Sequence, residues 1–168
     1  MLAIREERPG DAAAIHSVNA AAFETAAEAS LVRLLRERAA PIVSLVAEDG
    51  EVICGHILFS PVTIAGQGGL VLMGLAPMAV HPSRQRQGIG SALVRAGLDA
   101  CATIGSDGVV VLGHADYYPR FGFRPASRFG LKSEYDVPDE VFMAMELKPG
   151  ALAGKGGTVR YHPAFGDV

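Results

Sequence analysis

Cysteine is scarce in this chain, charge is nearly balanced, and no apolar run is long enough to cross a bilayer. The two cysteines, Cys54 and Cys101, stand far apart and form no Cys-x-x-Cys pair, which leaves a disulfide framework or a zinc site without support. Both read as small buried hydrophobes. Charged residues make up 20% of the chain and the formal net charge is −3, which excludes a disordered polyelectrolyte and a strongly basic nucleic-acid binder. The longest apolar run, Gly69 to Val80, is broken by Pro77 and falls short of the roughly 20 residues a membrane helix needs. Met1 to Glu7 breaks from apolar to charged residues at Arg5, where a signal peptide needs a longer continuous apolar stretch. A cytoplasmic protein is expected, with neither membrane nor nucleic acid as partner. No internal repeat is found, and 168 residues with 49% hydrophobic content suffice for one domain with a full core.

Pro9-Gly10-Asp11 reads as a turn ending in a helix N-cap, followed by Ile15, Val18, Ala22 and Phe23 at helical spacing; Leu31, Leu34 and Leu35 extend a helical pattern to about Arg38. Pro41 to Glu48 and Glu51 to Phe59 are β-rich and joined by Asp49-Gly50, a hairpin signal. Ser60 to Gly69 reads as a Pro/Gly-rich loop. Leu70 to Val80 is apolar on both faces and is expected at the centre of a sheet. From Gly88 to Ile104 small and apolar residues recur on one side while Ser91, Arg95, Asp99 and Thr103 line the other, the pattern of an amphipathic helix. Gly108 to Leu112 then forms a short strand, and a strand, helix, strand succession of this length implies a parallel pair within a mixed sheet. Asp116 is placed to cap a one-turn helix that Gly122 ends. Further strands are expected at Phe123 to Arg128 and Val141 to Leu147, with Pro149 to Gly157 a loop and Thr158 to Tyr161 an edge strand.

The segment Val80-His81-Pro82-Ser83-Arg84-Gln85-Arg86-Gln87-Gly88-Ile89-Gly90-Ser91 joins the buried strand to the amphipathic helix. A helix start there aims backbone N–H groups and the positive end of a dipole at whatever binds. Gly88 and Gly90 let an anion approach the backbone, and Arg84 and Arg86 add charge, so a pyrophosphate fits. Other phosphate motifs fail: a dinucleotide fingerprint needs glycine at Leu93, and a Walker loop needs glycine at Pro149 and Ser or Thr at Gly156. Neither a Gly-x-Ser-x-Gly elbow nor a His-Glu-x-x-His pair occurs.

Gln85-x-x-Gly88-x-Gly90 resembles the coenzyme A pyrophosphate motif of the GNAT-type acetyltransferase superfamily. Tyr118-Pro119-Arg120-Phe121-Gly122-Phe123 is similar to that family's Tyr-x-x-x-Gly-Phe signature. The resemblance covers roughly Ile4 to Leu147, which makes the chain a single domain with a core of about 4–147 and a C-terminal tail at 148–168. Leu75-Ala76-Pro77-Met78-Ala79-Val80 is similar to a bacterial single-domain branch of the family. The resemblance implies an α/β fold: a six- or seven-stranded, mostly antiparallel mixed sheet with two splayed central parallel strands and flanking helices.

It also implies acetyl-CoA as co-substrate. Met78, Ala79 and Val80 would offer backbone groups to the pantetheine arm and the thioester oxygen, and Gln85, Arg86, Gln87, Gly88, Ile89, Gly90 and Ser91 would hold the pyrophosphate. Tyr118 would be the catalytic acid that protonates the departing thiolate; Tyr117, one residue out of register, is expected to be structural. Leu75 to Val80 lacks the carboxylate that family members often use as base, which leaves Glu24, Glu28, His114 and Asp116 as candidates. His16, His56, His81 and His162 show no metal-ligand spacing. The function implied is N-acetyl transfer to a small-molecule or peptide amine by direct attack in a ternary complex, with a homodimer allowed; the alternative is a non-catalytic acyl-CoA-binding or sensing domain. The loops Phe23 to Ala29, Ser60 to Gly69 and Arg128 to Asp139 would choose the acceptor, and Glu24, Glu28, Glu134, Asp136 and Asp139 within them favour a cationic amine.

Overall fold

A computed structural model describes residues 1–168. The chain opens with strand β1 (Leu2–Glu6), then helices α1 (Ala12–Ala22) and α2 (Ala27–Arg38), then strands β2 (Val43–Asp49), β3 (Val52–Ile64) and β4 (Leu72–Val80). Helix α3 (Ile89–Thr103) leads into β5 (Gly108–Leu112), and the remaining strands are β6 (Arg124–Pro125), β7 (Leu131–Ser133), β8 (Phe142–Glu146) and β9 (Gly157–Arg160). The main sheet runs in the order β1-β2-β3-β4-β5-β8-β6, a seven-strand path that is antiparallel except between β4 and β5. This is the expected mixed sheet, with the apolar strand β4 at its centre. No helix is long and apolar enough to cross a membrane.

Hydrophobic alternation sorts the core into two layers. Met73 and Leu75 of β4 and Val109 and Val111 of β5 pack with Ile89, Leu93 and Cys101 of α3 on one face. Leu72 and Val110, the alternating residues, join Val62, Val159 and Tyr161 on the other. Helices α1 and α2 cover that second face through Ile15, Leu31 and Leu35 against Val46 and Leu58. Both cysteines are buried and unpaired.

Several local expectations fail. Leu2–Glu6, to which no element was assigned from the sequence, is an edge strand paired antiparallel with β2. Asp11 sits at the N-cap of α1 but makes no side-chain cap bond; its carboxylate takes Arg5 at 2.8 Å and the Arg8 amide at 2.6 Å. Ser60 to Ile64 is not loop but the continuation of β3, paired first with β4 and then, at Thr63 and Ile64, with β9. Arg124–Pro125 is all of the strand expected over Phe123 to Arg128, because a 3-10 turn begins at Ala126. Strand β9 lies between β3 and β7, so it is not an edge. The C-terminal segment is packed rather than trailing: Leu152, Val159, Tyr161 and Ala164 are all buried.

Candidate active site

The loop before α3 is built as its composition suggests. Gly88 is the N-cap of α3 in the left-handed conformation, at φ 82°, where a residue with a Cβ is strained. Ala92 donates to the Gly88 carbonyl at 3.0 Å, so the amides of Ile89, Gly90 and Ser91 precede the first intrahelical bond. Val80, Arg84, Gln85, Arg86, Gly88, Ile89, Gly90 and Ser91 line one groove of about 420 Å³ with Tyr117 and Arg120. Arg86 is exposed and is the one non-glycine residue with positive φ, at 64°. Arg84 is engaged elsewhere, at 2.9 Å from Asp49 and 3.2 Å from the Gln87 side-chain oxygen, so its charge is partly spent. The Gln85 amide donates back to the Val80 carbonyl at 3.1 Å and braces the loop.

The two tyrosines of the one-turn helix Tyr118–Phe121 point to different places. Tyr117, not Asp116, is its N-cap residue, and neither side chain caps it. The Tyr117 hydroxyl lies 3.0 Å from Ser91 Oγ, with the Arg120 guanidinium 4.5 Å above its ring. Sequence reasoning gave Tyr117 a packing role and passed over Arg120; their spacing, three apart on one turn, is the signal that was available. Tyr118 is buried within the α3-side core, its ring laid against the backbone at Gly113 and edge-on to Phe123 at 5.7 Å. Burial pushes its phenol up to about 12.

Strands β4 and β5 stay paired only from Leu72↔Gly108 to Leu75↔Val111, while β4 runs on to Val80. Between Leu75 and Met78, β4 spends three residues against two on β3, from Phe59 to Ile57, which places a β-bulge at Ala76 and Pro77. The strands therefore part at the bulge, and the β5-facing edge of Met78, Ala79 and Val80 carries no partner strand. Met78 reaches the groove edge, with its methyl 3.5 Å from where a Cβ on Gly90 would lie, whereas buried Ala79 alternates to the other face beside His56. Among the base candidates, Glu24, His114 and Asp116 are exposed; Glu28 is half-buried, with one carboxylate oxygen shielded and unpartnered.

A basic glycine loop opening a helix, set beside a parallel pair that splays, is the arrangement to compare with known proteins. The acetyltransferase (GNAT) domain model matches residues 41–125. The chain is 39% identical over 163 residues to the uncharacterised N-acetyltransferase YhbS of Escherichia coli K12, covering 96% of this chain and 97% of that one. This chain belongs to the GNAT acetyltransferase family. Its fold superposes on the Escherichia coli YhbS structure in complex with CoA at a TM-score of 0.92, with 38% identity and coverage of 98% and 92%. It superposes on a Brucella melitensis GNAT acetyltransferase in complex with acetyl-CoA at 0.81, with 37% identity and 98% of both chains covered. The GNAT co-substrate is acetyl-CoA, and the residues present fit it: unpaired amides and Arg86 for a pyrophosphate, and an open strand edge for an amide-bearing arm.

Proposed function

We propose that this GNAT protein passes an acetyl group from acetyl-CoA directly to a primary amine within a ternary complex. The observation that carries this reading is the end of β4–β5 pairing at Leu75 and Val111, in the same core cluster as Ile89 at the start of α3 and Tyr118. Ile89, Gly90 and Ser91 amides, with Arg86, hold the pyrophosphate; Tyr117 and Arg120 close the groove; the Met78 to Val80 edge receives the pantetheine arm. Acetyl-CoA supplies an activated acyl carbon, whose carbonyl oxygen gains negative charge on attack. A backbone N–H of the open Met78 to Val80 edge stabilises that charge more than the ground state.

Tyr118 serves the leaving thiolate. Full proton transfer from a phenol near 12 to a thiolate whose acid lies near about 8.5 is uphill by roughly 10³ or more, so the hydroxyl acts as a hydrogen-bond donor to the departing sulfur. Glu28 is the base assigned to the incoming ammonium, because it alone of the candidates holds a carboxylate oxygen away from water. Neither cysteine competes as a nucleophile, since both thiols are buried and burial pushes the Cys101 thiol up to about 12. The composition and the absence of a membrane-spanning helix support a cytoplasmic setting.

Gly88→Asp tests the cofactor site. No heavy atom lies within 4 Å of a Cβ built at Gly88, so the variant folds, with strain confined to one left-handed residue. Its carboxylate faces the pyrophosphate, and calorimetric affinity for CoA is expected to fall at least tenfold. Unchanged affinity in the folded variant overturns the assignment.

A further inference from the structure

The groove at α3 and a second cavity lie on opposite faces of the sheet. The second cavity, about 180 Å³, is lined by Leu75, Ala76, Leu112, Tyr135, Tyr161 and Phe165, all hydrophobic. Ala76 and Leu112 are the first residues beyond the last parallel pair, Leu75↔Val111, so this cavity opens on the gap from the side away from α3. Its aromatic wall is held firmly. Tyr161 lies against Gly74, where a Cβ would come within 2.9 Å of its ring, and stacks 5.0 Å from Phe165 and 6.0 Å from Tyr135.

The polar groups of this layer add a second observation. The four buried side-chain polar atoms without a protein partner are Asn19 Oδ1, Glu28 Oε2, Ser60 Oγ and Tyr161 Oη. All four belong to the layer away from α3: Asn19 and Glu28 on the covering helices, Ser60 one residue out of phase with Phe59 on β3, and Tyr161 in the second core cluster. Tyr161 alone of the four lines the cavity, and a buried hydroxyl left without a protein partner calls for one. One Glu134 carboxylate oxygen accepts from the Tyr161 backbone amide.

Resting on the acetyltransferase reading, we propose that the cavity takes the apolar arm of the acceptor. The substrate is then a primary amine carrying one aromatic ring or one branched aliphatic group, not a polycation. The size agrees, since an apolar cavity of about 150 Å³ accommodates benzene. Delivery is across the sheet: the thioester enters the gap from the α3 side, and the amine nitrogen meets it from the Tyr161 side. The nitrogen lone pair forms the C–N bond, the C–S bond breaks, the sulfur leaves as CoA thiolate, and the ammonium proton passes to the base.

The test compares 2-phenylethylamine, isoamylamine and spermidine with saturating acetyl-CoA, following thiol release. The two apolar amines should exceed spermidine at least tenfold in kcat/KM. Leu112→Trp, at a partly exposed position on the cavity rim, should lower kcat/KM for 2-phenylethylamine at least tenfold while calorimetric affinity for CoA is kept. Tyr135→Ala, also at an exposed position, should weaken selection for the aromatic amine. Preference for spermidine, or a folded Leu112→Trp with undiminished 2-phenylethylamine turnover, overturns this inference and leaves the acetyltransferase reading standing. A preference for butyryl-CoA over acetyl-CoA that Leu112→Trp reverses assigns the cavity to the acyl chain and overturns it as well. Thiol release that no amine raises, CoA binding being intact, removes both.

Discussion

Tyr118→Phe is expected to lower kcat by roughly 10² to 10⁴ while KM for acetyl-CoA changes little. The substitution removes one hydroxyl and keeps the ring that packs on Gly113, Tyr117 and Phe123, so the fold is retained. What is lost is the donor to sulfur, which matters only as the C–S bond breaks. Tyr117→Phe is expected to do the reverse: its hydroxyl contacts Ser91 at 3.0 Å, so affinity for CoA weakens modestly and kcat stays within a few-fold. The two variants must be compared on an acceptor for which chemistry limits the rate, because slow product release masks the first effect. Full turnover in Tyr118→Phe, or a Tyr117→Phe that is the crippled variant, contradicts the roles assigned.

Stability is expected to fall by about 2 kcal/mol between pH 7 and pH 5, and by about 3 by pH 4, through one buried histidine. His56 on β3 is fully buried, and burial lowers its pKa from an ordinary 6.5 to about 4, aided by the Arg36 charge and opposed by Glu7. Ser44 gives its proton to Glu7 at 2.6 Å, so its oxygen accepts from His56 Nε2 at 2.9 Å. His56 Nδ1 is then the acceptor, and the Asn19 amide, which also bonds the Ile15 carbonyl, donates to it at 3.2 Å. A second proton at Nδ1 would confront that donor. The unfolded chain therefore binds more protons than the native one between pH 4 and 6.5, so stability is complete above 6.5 and declines as pH falls towards 4. Urea midpoints at pH 7 and pH 5 check this, and His56→Gln should flatten the difference. Equal wild-type stability at the two values contradicts it.

What could be read from the sequence was what local pattern encodes. The apolar run predicted β4 at the sheet centre, the 3.6-residue period predicted α3 almost to the residue, and Gly88 and Gly90 predicted where that helix would begin. Pairings made by distant segments were hidden. Ser60-Pro61 looked like a breaker, yet β4 pairs with β3 through Val62, and β9, distant in sequence, takes over at Thr63 and Ile64. The same long-range packing brings Tyr161 and Phe165 to Leu75 and Leu112, so the acceptor-side cavity had no motif to betray it. Asp11 and Arg84 showed another limit of local pattern: one was read as a helix cap and the other as charge for a ligand, and each instead pairs within the fold, with Arg5 and Asp49 respectively.

The chemistry proposed here binds acetyl-CoA on one face of the sheet and passes its acetyl group to an amine arriving from the other. Mixing the protein with acetyl-CoA and 2-phenylethylamine, while following free thiol and the mass of the amine together, tests it most directly. Thiol release is expected to require the amine, to match N-acetylated amine one for one, and to give intersecting initial-rate lines for the two substrates. Saturable binding of acetyl-CoA with no amine-dependent thiol, as in a domain that only senses acyl-CoA, would contradict it.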